Sequence, residues 1–111
     1  MSAAFEFRGT LCWGSNGTVE DYLGWMASAA ARPGTERALA DWLADWRDAF
    51  FTGAVVTLAD VLTDGERAAQ FIRLFDGATA AFLEGDQYTD YGKQWLREEA
   101  PKLTARIRGA F

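Results

Sequence analysis

The sequence predicts a mainly α-helical chain with a small two-stranded β element, an α+β fold in which about four helices pack around one core. Three observations predict it. Apolar residues recur at helical spacing in four separate stretches. One stretch, Phe5 to Cys12, alternates with a period of two. Ala54 to Thr57 contains the β-branched run Val55, Val56 and Thr57, and no other segment supplies that strand with a partner as well. The 111 residues suit a single domain spanning 1–111, and an apolar fraction of 50% is enough to build a core without disulfides or a metal.

In Phe5 to Cys12, the residues Phe5, Phe7, Gly9 and Leu11 fall on one side and Glu6, Arg8, Thr10 and Cys12 on the other, which predicts one strand with one apolar face. Trp13 to Gly17 carries turn chemistry and reads as a loop. Thr18 is the expected cap of a first helix running to about Ala31, whose inward face is Val19, Tyr22, Leu23, Met26 and Ala30. Pro33 and Gly34 end it. Thr35 is the expected cap of a second helix reaching Thr52 and Gly53, with Leu39, Trp42, Leu43, Trp46 and Phe50 on one stripe. That spacing places Trp42 and Trp46 among the most buried residues.

Residues 54–62 fit either a short strand or a helical face. The hydrogen-bonding need of the first strand favours a strand at about 54–57; were this segment helical, the first strand would have to pair with another molecule. Thr63 and Glu66 form a capping box for a long third helix, with Ala68, Phe71, Ile72, Phe75, Ala78, Phe82 and Leu83 inward. Gly77 in its middle marks either a packed neighbour or a break. A last helix spans about 90–108 with Trp95, Leu96, Leu103 and Ile107 inward, and Pro101 must kink or restart it.

The composition excludes whole classes of chemistry. Histidine is absent and Cys12 is the only cysteine. Without imidazole, neither a Ser-His-Asp nor a Cys-His mechanism can operate within this chain, and the usual His-containing zinc and iron sites are out of reach. No cofactor or metal is therefore expected. Cys12 lies between Leu11 and Trp13, which favours a buried, inert thiol. Met1 to Thr10 lacks the pattern of a signal peptide, and no uncharged stretch approaches the length of a membrane span, so the expected location is the cytoplasm and no membrane partner is expected. The sequon at Asn16 to Thr18 then has no consequence.

Net charge is −5, and it is unevenly spread: residues 93–111 hold five basic and two acidic side chains, and the other 92 hold six basic and fourteen acidic. That balance disfavours nucleic acid as a partner. Asp41, Asp45 and Asp48 share one face of the second helix, away from its apolar stripe, where like charges oppose helix formation. They read either as a solvated face, with Arg37 and Arg47 relieving part of the repulsion, or as a surface for a basic protein partner, and least well as a cation site, because a straight helix lacks the wrapped oxygen cage Ca²⁺ prefers. Trp13, Trp25, Tyr88 and Tyr91 lie off the core stripes and are either lids on the core or candidate partner anchors. The loop at Gly14 to Gly17 has neither nucleotide-binding fingerprint.

These features point first to a small acidic protein-binding module. Immunity proteins and antitoxins that cover basic toxins share its properties, which is an analogy of properties and not of motif. Two other readings stand beside it. One is a small-molecule-binding protein or enzyme using carboxylate and tyrosine chemistry. The other is a self-associating homodimer subunit, with the first strand pairing across the dimer axis.

Overall fold

The computed structural model describes all residues, Met1 to Phe111. The chain is mostly helical with a small sheet of three strands rather than two. The order is β1 (Ser2–Phe7), β2 (Thr10–Ser15), α1 (Asn16–Ala30), α2 (Arg37–Ala49), β3 (Val55–Thr57), a 3₁₀ turn (Leu58–Asp60), α3 (Gly65–Glu84), α4 (Asp90–Glu98) and α5 (Ala100–Ala110).

The extra strand comes from a turn inside the stretch expected to be one strand. Arg8 and Gly9 both have positive φ, 49° and 88°, so the chain reverses there and β1 pairs antiparallel with β2, Phe5 facing Cys12 and Phe7 facing Thr10. The Glu6 side chain accepts the Gly9 amide at 2.8 Å and braces the turn. A two-residue turn shifts the inward phase by one, so Cys12 is buried and Leu11 is exposed, the reverse of the continuous-strand expectation. β3 pairs parallel with β1, Phe5 against Val56, which is the partner expected from residues 54–57. β1 is thus flanked on both edges within the chain, by β2 along its whole length and by β3 at Ala4 to Glu6.

β2 runs straight into α1. Ser15, not Thr18, is the cap, and its Oγ accepts the Thr18 amide at 3.1 Å. The expected inward face of α1 is buried throughout. Its Tyr22 ring stacks on Phe75 of α3 at 4.4 Å and meets Phe82 edge-on at 5.2 Å, while Phe5 of β1 meets Phe75 edge-on at 5.5 Å. These rings join the sheet, α1 and α3 in one core of 26 buried residues. The helix carrying Gly77 is unbroken. A Cβ at Gly77 would lie 2.7 Å from the Trp25 ring, so the glycine admits α1 at close range. Asp64 rather than Thr63 caps α3, accepting the Arg67 amide at 2.8 Å. Pro101 restarts the last helix: α4 ends at Glu98 and α5 begins at Ala100, with the proline in its first turn, where a missing N–H costs nothing.

α2 departs most from expectation. Its N-cap is Glu36, not Thr35, and no side chain of its own caps it. The Glu36 amide instead donates to Oε1 of the buried Gln70 at 2.8 Å, and the Glu36 carboxylate lies 3.4 Å from the Arg67 guanidinium. Both tie the start of α2 to α3. Beyond them α2 packs against α1. That single contact covers a narrow stripe, so Leu39 and Leu43 are fully buried, and Trp42, Trp46 and Phe50 only flank the core. The expectation that both tryptophans are core residues is corrected: no second neighbour closes over them.

Two stability outcomes follow from this packing. Leu43→Ala should cost about 2–5 kcal/mol, the usual range for a buried leucine. Trp46→Ala should cost clearly less in urea unfolding although it deletes a larger side chain; an equal or larger loss would place Trp46 back in the core. Gly77→Ala would gain about 1 kcal/mol in an open helix. Here it should destabilise, and turn stabilising when Trp25 is also alanine. The same sign in both backgrounds would show that the indole is not what demands the glycine.

Candidate functional site

The sequence-derived candidates do not form one site. Trp25 is a lid on the core, packed on Gly77. Tyr88 is half-buried, and its hydroxyl donates to Asp21 Oδ2 at 2.7 Å, beside a second bond from Gln87 at 2.9 Å, so the loop after α3 is strapped to α1. Burial first, and then the Asp21 carboxylate, push the Tyr88 phenol upward; burial does the same to Tyr22. These phenols stay protonated far above neutral pH and are poor general bases there.

Trp13 lies in β2 rather than in a loop. It is 51% exposed, and its carbonyl accepts the Trp95 indole N–H at 2.7 Å. Tyr91 opens α4, 85% exposed, and with Gln94, Trp95, Glu98 and Glu99 lines a groove of about 250 Å³. The basic C-terminal stretch is partly engaged: Arg108 pairs with Asp76 at 3.2 Å and Arg106 donates to Thr10 at 3.2 Å, both outside it, and Lys102 pairs with Glu99 within it at 3.1 Å.

The three aspartates sit on the exposed face of α2, and their environments differ. Arg37 approaches Asp41 at 3.6 Å and Arg47 approaches Asp48 at 3.0 Å, both as exposed pairs that contribute little to stability. Asp45 has no ion pair or hydrogen bond. It instead lines a second groove of about 250 Å³ with Trp42, Trp46, Ala49 and Phe51. Trp42 and Trp46 meet at 66° with centroids 6.4 Å apart, and Trp46 and Phe51 at 28° and 6.3 Å. Phe51 is 59% exposed. The groove exists because α2 turns only its leucine stripe inward.

Sequence reasoning singled out Asp45 but set it on a face away from the tryptophans, and it assigned Trp42 and Trp46 to the core because their i, i+4 spacing is also the spacing of core residues; the structure brings all three to one groove. The available signal was an aspartate between two tryptophans on a helix with leucines enough for one inward stripe. No group of three or more Asp, Glu or Cys side chains converges in a way that could hold a metal ion. No helix is long and apolar enough to cross a membrane. Comparison of the chain with protein-family models, with curated proteins and with solved structures finds no match.

Cys12 is buried among core residues, its Sγ 3.9 Å from the Glu99 carbonyl. Burial, reinforced by the Glu99 carboxylate and partly offset by Lys102, pushes the thiol up to about 11 from its ordinary 9.0. Between these values the folded chain holds a proton that the unfolded chain has lost, so the stability contributed by the buried thiol is fully present below pH 9.0 and is lost as pH rises towards 11. Urea titrations across this window should show a shallower fall for Cys12→Ala than for the wild type. An identical slope would mean that the thiol ionises as freely in the folded protein as in the unfolded one.

Proposed function

We propose that this protein is a small acidic binding module for a basic protein partner, located in the cytoplasm, and acting as an inhibitor in the manner of immunity proteins and antitoxins. The observation that carries the reading is the surface of α2: Asp45 lines an open aromatic groove whose tryptophans are only partly used by the core, and Asp41 and Asp48 lie on the same exposed face of the helix. Aromatic anchors inside a charged rim are the usual anatomy of a protein-binding surface. The like-charged aspartates add nothing to folding, whereas they attract a basic partner over a Debye length. The reading as an enzyme using carboxylate and tyrosine chemistry has less support. The closest such pair, Tyr88 and Asp21, ties a loop down and lines neither groove.

Electrostatic steering makes a kinetic demand. With a partner captured from the native source, association should slow as salt rises from about 0.01 M to about 0.1 M and the Debye length shrinks from about 30 to about 10 Å. Replacing Asp41, Asp45 and Asp48 together by Asn should lower the on-rate and flatten its salt dependence, since rim charges act mainly on encounter. An on-rate identical to the wild type at every salt concentration would exclude α2 as the docking face.

A further inference from the structure

We propose that the groove of Trp42, Trp46 and Phe51 receives an arginine side chain of the protein partner, with the guanidinium against the rings and its N–H groups on the Asp45 carboxylate. The proposal rests on the reading of α2 as a surface for a basic partner and adds which group enters it. Charge complementarity carries it. Of the three aspartates on this face, two are occupied by the chain's own arginines, Asp41 by Arg37 and Asp48 by Arg47. The one left free, Asp45, is the one in the groove wall, and every other lining residue is apolar.

An unpaired carboxylate beside aromatic rings is a poor seat for an apolar side chain, which would bury the charge without a partner. It is a good seat for a cation, which gains from the ring quadrupoles and from the carboxylate together. The volume, about 250 Å³, lies below the range of pockets for drug-sized ligands and suits a single side chain. Arginine fits better than lysine. Its guanidinium is flat, stacks on rings, is weakly hydrated, and can offer a carboxylate two N–H groups at once, whereas an ammonium holds its water more tightly. The protein already makes such a contact elsewhere: the Arg8 guanidinium carbon lies 5.2 Å from the ring centres of both Phe7 and Phe111.

The test is a set of ¹H–¹⁵N NMR titrations that follow the indole N–H signals of Trp42 and Trp46. The probes are acetyl-Gly-Arg-Gly-amide and the same peptide with citrulline, lysine or leucine in place of arginine. The arginine peptide should shift both indoles saturably, and citrulline, its neutral near-isostere, should bind about fivefold more weakly, as should lysine. Asp45→Asn should weaken arginine binding and narrow its advantage over citrulline to what the rings alone supply, whereas Asp48→Asn should not; both positions are exposed, so neither change threatens the fold. Citrulline, lysine or leucine binding as well as arginine would overturn the proposal, and so would an unchanged arginine affinity in Asp45→Asn. A tetralysine peptide separates this failure from that of the broader reading. If tetralysine moves the α2 amides in the wild type but not in the triple Asn variant while arginine and citrulline tie, the arginine site falls and the basic-partner surface stands. If tetralysine and the arginine peptide both leave α2 unmoved, both fall.

Discussion

β1 cannot exist alone: each of its amides and carbonyls needs a partner, and its side chains are too apolar to leave in water. The chain supplies both needs from within. β2 returns along one edge through the Arg8–Gly9 turn, and β3 arrives along the other, the Ala4 amide bonding to the Ala54 carbonyl at 3.0 Å. Ala3, Ala4, Phe5 and Phe7 are then completely buried, and Phe5 reaches the ring cluster of Tyr22 and Phe75. β2 ends beside the start of β1, Ser2 facing Ser15, and β3 begins at that same end on the other side of β1, Ala4 facing Val55, so the chain between β2 and β3 makes an excursion that leaves and returns to one end of the sheet. α1 and α2 lie on that excursion. α1 is drawn into the core by Tyr22, and α2 packs against α1.

The open surface of α2 is a consequence of this order. A helix with one helical neighbour buries one stripe, and α2 spends Leu39 and Leu43 on it. Trp42 and Trp46, next to that stripe, are partly covered and meet Phe51 at the C-terminal end of the helix. The polar tie at the other end, from Glu36 to Gln70 and Arg67, fixes the position of α2 without adding apolar cover. The candidate site is therefore the part of the apolar surface for which the fold has no second layer, and the aspartates give that surface a sign.

Much of this was legible in the sequence because it depends on periodicity. The inward faces of α1 and α3 and the strand favoured at 54–57 follow from spacing, whereas at Gly77 and Pro101 the sequence marks the position and leaves two outcomes between which only the packing decides. What was hidden depends on partners distant in the chain. The hairpin turn lacks the Asn-Gly or Asp-Gly signature of its class, so the alternation of Phe5 to Cys12 reads straight through it. The acceptor of the Glu36 amide at the start of α2 is Gln70, 34 residues away. The depth of Trp42 and Trp46 depends on whether another element covers them, and no local pattern encodes that.

β1 is the element on which the rest is assembled, and native-state hydrogen exchange of its amides tests this most directly. The amides of Ala4, Phe5 and Glu6 should exchange only through global unfolding, and should be protected more strongly than any amide of α2. If those three amides exchange faster than the middle of α2, β1 is a peripheral strand, and the explanation of why the face of α2 is left open fails with it.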